Sequence, residues 1–404
     1  MELEARLGAP QREVKVIGLI CAGHFFSHFY VLLVPSLFPI LREVYGVGFT
    51  ELGFAVACFS ITTGLVQIPV GFVVDRYGAG RILTAGLFLE AVAISLIGVF
   101  PLYGALVALM IASGLANTVY HPADYAILNA MIDKSRIGRV FSFHTFTGYL
   151  GDALGPATIL LLTSFIDWRA AMFLCGASGA VVAALLWSNA EVLADSTSRH
   201  PAVPAGGPAR RSGMALLLSV PLVMGMLFFA GISITGRGFS NFGVSTLHEL
   251  YQTPLGTAGI LISAYLFSSP VGVLAGGYFA DRVTRHDLIA AGCFACIAAS
   301  IFLVAAFDPP LPAIGVLFAI AGFCNGFIAP PRDMMIRAIT PPGAIGTVFG
   351  FVSTGYNVGG TVAPILYGWL LDHADPRSLF WVMGVVALLS VGTVLLTGRE
   401  GRRA

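Results

Sequence analysis

The sequence predicts an all-α membrane protein in which twelve transmembrane helices form two pseudo-symmetric six-helix bundles. The first supporting observation is composition. Of the 404 residues, 57% are hydrophobic and only 11% are charged, whereas soluble globular proteins carry about 25% charged residues. The second is the number of apolar segments that reach the length of a membrane span, which is about 20 residues. The third is a charged turn that occurs once in each half of the chain.

Twelve apolar segments are long enough to cross a bilayer. We place them at residues 15–41, 50–74, 82–101, 104–131, 138–165, 168–189, 216–246, 255–279, 287–306, 311–338, 345–371 and 378–398. The segment between the sixth and seventh spans is rich in Pro, Gly, Ser and Arg, which is typical of a linker. We therefore predict an N-terminal bundle at 1–189, a cytoplasmic linker at 190–213 and a C-terminal bundle at 214–404.

The charged turn indicates that the two halves are repeats. The sequence GFVVDRYGAGR begins at Gly71, and GYFADRVTRHD begins at Gly277, 206 residues later. Both have Gly, three further residues and then Asp-Arg, and both lie between long apolar segments. The sequence HPAD, from His121 to Asp124, similarly corresponds to PPRD, from Pro330 to Asp333. Parallel repeats of this kind predict a polar cavity between the halves near the middle of the membrane.

The distribution of cations predicts the orientation. If both termini are cytoplasmic, eighteen of the 22 Lys and Arg residues fall in cytoplasmic segments and three fall outside. This asymmetry follows the positive-inside rule. The remaining cation, Arg237, lies within the seventh span. We predict a multi-pass protein of the inner membrane with both termini in the cytoplasm.

These features resemble the major facilitator superfamily over essentially the whole chain. The Gly71-x-x-x-Asp75-Arg76-x-Gly78 turn, its second copy and the two groups of six spans carry the resemblance. Within the superfamily, HFFSHFYVLLVPSLFPIL from His24 and YHPAD from Tyr120 are similar to the fosmidomycin-resistance-type branch. The resemblance implies a secondary transporter that works by alternating access. It also implies that charged groups on the cytoplasmic side form a gating network, here Asp75, Arg76, Arg81, Asp124 and Arg139, with a second copy at Asp281, Arg282, Asp333 and Arg337.

Two histidines lie on one face of the first span. His24 and His28 are four residues apart, which is about one helical turn. Because histidine titrates near neutral pH, this pair could carry a proton or bind an anion. Each could instead hydrogen-bond to a neighbouring helix, or the two could ligate a metal ion. The sequence offers no further ligand cluster at that depth, so we predict no metal site.

The fifth span carries a carboxylate near its middle. His144, Gly148 and Asp152 are spaced by four residues and form one stripe. An isolated carboxylate in apolar surroundings suits a reversible proton carrier, so we expect proton coupling at Asp152, His28 and His144. The alternative is a fixed ion pair with a histidine or arginine of another span.

Arg237 predicts recognition of an anion. A guanidinium within a span presents a planar set of donors that matches carboxylate, sulfonate or phosphate. The alternative is a permanent ion pair with Asp152. Asn117 and His121 are further polar groups that could line the cavity, where helix-to-helix hydrogen bonding is the commoner role. The predicted substrate-binding residues are His24, His28, Tyr120, Tyr149, Arg237, Asn241, Asn325, Tyr356 and Asn357.

No catalytic motif is present, so we do not expect an enzyme. The sequence contains neither a phosphate-binding loop of the GxxxxGK type nor HExxH. The six cysteines lie in apolar segments without disulfide or metal spacing, and the net charge of +1 gives no indication of nucleic-acid binding. We expect a monomer without a cofactor that transports a small organic anion with protons. Drug efflux is the alternative, and a non-transporting membrane sensor is a further one.

Overall fold

The computed structural model describes residues 9–133, 136–194, 214–280, 282–341 and 345–400. Within these residues the secondary structure is helical, as predicted. The helices of the first half are α1 (Ala9–Val31), α2 (Leu33–Ser36), α3 (Phe38–Tyr45), α4 (Phe49–Tyr77), α5 (Ala79–Ile97), α6 (Tyr103–Asn117), α7 (Tyr120–Met131), α8 (Ile137–Thr163), α9 (Trp168–Ser188) and α10 (Ala190–Ala194).

The second half contains one irregular helical turn in addition to its α-helices. A π-helical turn, Gly238–Phe242, directly follows the helix that forms most of the predicted seventh span. The α-helices are α11 (Met214–Leu217), α12 (Val220–Arg237), α13 (Gly243–Tyr251), α14 (Leu255–Ala280), α15 (His286–Phe307), α16 (Leu311–Phe327), α17 (Ala329–Ala338), α18 (Ile345–His373) and α19 (Arg377–Glu400).

Ten helical segments among the described residues are long and apolar enough to cross a membrane. The two other predicted spans, the fifth and the eleventh, correspond to α8 and α18. Both are long helices, with 27 and 29 residues. Each carries several polar side chains, including His144 and Asp152 on α8 and Tyr356 and Asn357 on α18. These side chains lower the mean hydropathy of the two helices, which explains why α8 and α18 are not among the ten.

Proline interrupts three of the predicted spans. Pro35 and Pro39 lie where the first span divides into α1, α2 and α3, and Pro122 follows the break between α6 and α7. Pro330 lies at the start of α17, after the break that follows α16. A proline has no N–H for the helical ladder and its ring crowds the preceding turn, so the ladder is interrupted at these points.

The described chain forms two compact units. One unit contains the described residues up to 34 and those from 58 to 194; the other contains residues 35–57 and the described residues from 214 onward. The predicted division at 189 and 214 stays a prediction. The predicted linker begins with α10, whose Val192 and Leu193 are buried in the first unit, and its residues 195–213 lie outside the described part.

Close backbone contacts hold the helices of each unit together. In the first unit, a Cβ on Gly151 of α8 would lie 2.2 Å from the carbonyl oxygen of Phe25 on α1. In the second, a Cβ on Gly326 of α16 would lie 1.9 Å from the carbonyl oxygen of Ser269 on α14. Because no other residue fits at these distances, the two glycines set how closely each helix pair approaches.

An ion pair stabilises the loop between α15 and α16. Arg377 donates a hydrogen bond of 2.9 Å to Asp308 and another of 3.0 Å to the carbonyl of Ala305. The hydroxyl of Tyr251 also donates to Asp308, at 3.1 Å. The hydrogen bond from Arg377 lowers the pKa of the Asp308 carboxyl below its ordinary value. This carboxyl is therefore ionised at neutral pH.

Asp372, near the end of α18, caps the first turn of α4 within the second unit. Its carboxylate accepts hydrogen bonds from the N–H groups of Phe49 and Thr50, at 2.8 and 2.7 Å. It also accepts one of 2.6 Å from the Thr50 hydroxyl. The first N–H groups of a helix have no intrahelical acceptor, and a negative charge there is favourable. A residue distant in sequence therefore accepts the hydrogen bonds of the first N–H groups of this long helix.

We expect Asp372→Ala to lower the free energy of unfolding by about 1–2 kcal/mol, because two first-turn amides lose their acceptor. The measurement is the melting temperature of the purified protein in detergent. Glu43→Ala removes an exposed carboxylate from α3 and should leave the melting temperature unchanged. Equal melting temperatures for the wild type and Asp372→Ala would show that this cap does not contribute to stability.

Candidate functional site

Three helices of the first unit bring six ionisable side chains together. Helix α1 contributes His24 and His28, on one face because they are a turn apart. We call the whole group the histidine–aspartate cluster. Its members are His24, His28, His121, Asp124, His144 and Asp152. Helix α7 carries the third and fourth of these residues, and α8 carries the last two, so no single stretch of sequence contains the cluster.

The inner part of the cluster is built around the carboxylate of Asp124, which is fully buried. His144 Nε2 donates a hydrogen bond of 3.0 Å to Asp124 Oδ2. His24 Nδ1 lies 3.4 Å from the same oxygen. The rings of His24 and His144 are stacked, with their centroids 3.7 Å apart and their planes inclined by 19°. A buried carboxylate needs such partners, because an isolated charge is costly in an apolar interior.

The outer part of the cluster is a second histidine–carboxylate pair. His28 Nδ1 and Asp152 Oδ2 lie 2.9 Å apart, and their side chains are 32% and 24% exposed. The ring of His28 meets that of His24 edge to face, with 4.8 Å between the centroids. The ring centroids of His121 and His24 are 5.4 Å apart. The cluster thus connects an accessible carboxylate to a buried one through imidazoles.

Two buried atoms in the inner part have no hydrogen-bond partner among the described residues. They are Asp124 Oδ1 and His24 Nδ1. Buried polar atoms are nearly always hydrogen-bonded, so this carboxylate and imidazole have capacity for a further proton or ligand. These two atoms lie beside further imidazoles and a carboxylate, which bind protons readily. Proton relays of membrane proteins have the same arrangement of titratable groups.

Three members of the cluster are also close enough to consider a metal ion. One ligand atom from each of His24, Asp124 and His144 lies within 4.8 Å of the others. The two imidazoles are stacked almost parallel, so their in-plane lone pairs do not converge on a common point away from the carboxylate. The orientation favours hydrogen bonding to Asp124 over ligation of a shared ion.

A further buried carboxylate, Glu90 on α5, was missed by the sequence analysis. It is fully buried. It accepts hydrogen bonds from Tyr120 at 2.8 Å, Asn117 at 3.2 Å and Ser113 at 3.4 Å. The available signal was a lone acidic residue in the middle of the third apolar segment, which is unusual enough to be considered functional.

The second unit places two of the predicted binding residues at the π-helical turn. Arg237 is the last residue of α12, and its side chain is half-buried. Asn241 lies within the turn and is buried, and it accepts a hydrogen bond of 3.2 Å from Ser240. Its amide nitrogen has no hydrogen-bond partner among the described residues. Single π-helical turns within helices are frequent at functional sites.

Arg332 on α17 lies within the predicted tenth span, 311–338, although it is one of the eighteen cations that the orientation count placed on the cytoplasmic side. Its guanidinium donates to the hydroxyl of Tyr356 on α18 and lies 4.8 Å from the ring centroid of Phe229 on α12. It also donates a hydrogen bond of 2.8 Å to Asp333. The side chain is only 15% exposed. Arg332 is therefore, like Arg237, a partly buried cation within a predicted span.

The predicted gating residues differ in their surroundings. Asp75, Arg76, Arg81 and Arg139 are exposed and form no ion pair with another described residue. Asp124 instead contacts histidines, so its contacts assign it to the cluster. For the second copy, Arg282 lies over the ring of Tyr278 at 3.6 Å, Asp333 pairs with Arg332, and Asp281 lies outside the described residues. The gating role stays a prediction.

Three further predicted binding residues lie on helices of the two units. Tyr149 on α8, Asn325 on α16 and Asn357 on α18 are half-buried. Tyr149 belongs to the first unit, as does Tyr120, which bonds Glu90; the other two belong to the second unit, as does Tyr356. Their part in substrate binding stays a prediction.

Gly148 makes room for the two imidazoles of α1. A Cβ at this position would lie 2.8 Å from His24 Nε2 and 2.9 Å from His28 Nε2. We expect Gly148→Ala to displace both rings and to lower the free energy of unfolding by about 1–3 kcal/mol, the usual effect of overpacking. Thermal unfolding in detergent measures this change.

The matched control for this substitution is Gly18→Ala, on the same helix as the two histidines. A Cβ on Gly18 meets no atom within 4 Å, and alanine is a better helix former than glycine. This control should be as stable as the wild type or slightly more stable. A Gly148→Ala variant that behaves like the control would contradict the close packing of the imidazoles.

Comparisons with known proteins identify the family. The Major Facilitator Superfamily model matches residues 20–247 and 226–404. The chain is 23% identical to the fosmidomycin resistance protein of Escherichia coli (strain K12), over 94% of this chain and 92% of that one. It is also 23% identical to the probable L-galactonate transporter of the same organism, over 89% of this chain and 81% of that one.

A solved structure supports the fold. The inward-facing, unoccupied crystal structure of a bacterial homologue of the human lysosomal transporter Spinster matches with a TM-score of 0.77. The match covers 98% of this chain and 99% of that chain, at 13% sequence identity. The described helices and the family match over both halves lead to one conclusion: the chain belongs to the major facilitator superfamily and is a multi-pass secondary transporter.

Proposed function

We propose that this transporter moves a small organic anion across the inner membrane and couples its movement to protons. The histidine–aspartate cluster is the observation that carries the proposal. It combines two carboxylates and four imidazoles within one unit, at membrane depth, where ionisable groups are costly unless they have a function. Both termini are proposed to lie in the cytoplasm, and the charged turns at Asp75 and Asp281 are proposed to gate.

Proton coupling follows from the arrangement of the cluster. The partly exposed pair of His28 and Asp152 can exchange protons with water, since its side chains are 32% and 24% exposed. His24 lies between this pair and the buried carboxylate of Asp124. Closely spaced titratable groups share protons and titrate as a set. A change in the proton content of the cluster alters its net charge, and this change can be linked to the conformational cycle.

The solute class follows from the second unit. Arg237 supplies a positive charge beside the π-helical turn, and Asn241 supplies a buried amide donor with capacity for a hydrogen bond. A guanidinium and an amide together suit a carboxylate or sulfonate group. One relative is described as a probable L-galactonate transporter, which supports a carboxylate-bearing solute. Arg332 offers a second cation in the same unit.

We expect Asp124→Asn and Asp152→Asn to reduce proton-driven flux by roughly tenfold or more, the usual size of coupling between two linked sites. The measurement is uptake of L-galactonate into proteoliposomes with and without an inward proton gradient. If both variants keep the flux and the gradient dependence of the wild type, proton coupling through the cluster is contradicted.

Glu191→Gln is the control for these two substitutions. Glu191 is an exposed carboxylate of the same unit that lies on α10, outside the cluster. The variant removes a charge of the same sign and should keep the flux and the gradient dependence of the wild type.

We expect Arg237→Ala to weaken binding of the anionic solute by about 10- to 100-fold, since charge-assisted hydrogen bonds are lost. Thermal stabilisation by a panel of small carboxylates and sulfonates, beginning with L-galactonate, measures binding. L-galactose, which lacks the carboxylate, is the matched solute, and Arg169→Ala, at an exposed site, is the matched variant. A panel that fails to stabilise the wild type, or stabilises Arg237→Ala equally, would contradict the assignment.

Export of an antibiotic is the second candidate. The similarity to the fosmidomycin resistance protein favours it. Expression of the chain in a fosmidomycin-sensitive bacterium would then raise resistance, and Asp124→Asn would abolish the effect. Unchanged sensitivity on expression would exclude export of this compound.

A further inference from the structure

The fourth span is broken directly before the residues that it contributes to the cluster. Helix α6 ends at Asn117, and α7 begins at Tyr120. Pro122 cannot donate to the carbonyl of Thr118, so the helical ladder is incomplete at this point. Helix α7 then carries His121 and Asp124. Thr118 and Val119 keep helical backbone angles across the break, so the span continues in one direction, and contacts from neighbouring helices support it where its ladder lacks a hydrogen bond.

Glu90 supplies such a contact from α5. Its Oε1 accepts hydrogen bonds from Ser113 and Asn117, which lie before the break, at 3.4 and 3.2 Å. Its Oε2 accepts one of 2.8 Å from the Tyr120 hydroxyl, which lies after the break. One carboxylate therefore binds both half-helices across their junction. The acceptor is fully buried, so water does not compete for these hydrogen bonds.

The same contact extends to α1. Asn117 Nδ2 also donates to the carbonyl of Ser27, at 3.0 Å. The Ser27 hydroxyl in turn donates to the carbonyl of His24, at 2.7 Å. Hydrogen bonds through Glu90, Asn117 and Ser27 thus connect two helices. These are α7, which carries Asp124, and the turn of α1 that carries His24. The side chains of these two helices meet at the inner part of the cluster.

We propose that Glu90 is a positioning residue for the transport reaction. It holds the two halves of the fourth span at a fixed angle and so keeps Asp124 within reach of His24 and His144. Glu90 acts through Tyr120 and Asn117, not through contact with the solute. The inference rests on the proposed function, because the proposed function assigns proton coupling to the cluster that Glu90 positions.

The decisive comparison removes one hydrogen bond on each side of the break. Tyr120→Phe deletes the bond to α7, and Ser113→Ala deletes the longer one to α6. The readout is the pH dependence of L-galactonate flux in proteoliposomes, with the melting temperature measured in parallel. We expect Tyr120→Phe to reduce flux by about tenfold and to move the pH of half-maximal flux. Ser113→Ala should keep the flux within about twofold and the pH profile unchanged, because its bond is long.

Substitutions of Glu90 itself separate geometry from charge. The amide of Glu90→Gln can accept from Asn117 and Ser113 and donate to the Tyr120 oxygen. We expect this variant to retain the wild-type pH profile, whereas Glu90→Ala loses flux by at least about tenfold. A Glu90→Gln variant that folds but loses flux as completely as Glu90→Ala would overturn the proposal, because charge or proton exchange at Glu90 would then be required. If Glu90→Ala does not fold, the Tyr120→Phe and Ser113→Ala pair decides alone.

Failure of this inference differs from failure of the proposed function. If Asp124→Asn abolishes the gradient dependence while Tyr120→Phe keeps the wild-type pH profile, the cluster couples protons but Glu90 does not position it. If the wild type shows no gradient dependence, the proposed coupling itself is wrong, and the positioning role falls with it.

Discussion

The burial of the Asp124 carboxylate is the constraint on which the first unit depends. A carboxylate within a membrane-spanning helix requires polar partners, and here they are two imidazoles from separate helices: His144 donates a hydrogen bond, and His24 Nδ1 lies 3.4 Å away. Their approach requires α1 and α8 to pack closely, and glycines on α8 permit this: Gly151 admits the backbone of α1, and Gly148 admits the imidazoles. The approach also requires the fourth span to present Asp124 beside these imidazoles, and Glu90 accepts hydrogen bonds from residues on both sides of the break in that span. Stability and chemistry in this unit therefore involve the same residues.

The second unit carries a different chemistry on a related set of helices. In place of imidazoles and carboxylates, it has Arg237 beside a π-helical turn and Arg332 against Tyr356 and Phe229. A cationic set can bind an anion, while a histidine–aspartate set can hold protons. Under the proposed function, the first unit would hold the protons and the second would bind the anion. The division is already visible in the corresponding sequences HPAD and PPRD, one of which contains histidine and the other arginine.

The fold was largely predictable, because bilayer thickness imposes a length and an apolar composition on every span. Part of the cluster was predictable as well: the spacing of His24 and His28, and of His144 and Asp152, follows from helical periodicity. That Asp124 and His121 join them was not, since the contact links spans that are distant in sequence, and resemblance had suggested a gating role for Asp124. Glu90 could have been recognised as an acidic residue in an apolar span. The π-helical turn has no sequence signal, and the burial of Arg332 was not predictable because its contacts are with Tyr356 and Phe229 of other helices.

The central claim is that the cluster exchanges protons near neutral pH, and its most direct test needs no solute. Nitrogen NMR spectroscopy of histidine-labelled protein in lipid bilayers reports the protonation of each imidazole, with single His→Gln variants giving the assignments. Between about pH 5 and 8, the window in which histidine commonly titrates, we predict that at least one imidazole of the cluster changes protonation and that Asp124→Asn alters its midpoint. Imidazoles that all keep one protonation state across this range, in the wild type and in Asp124→Asn alike, would contradict the account.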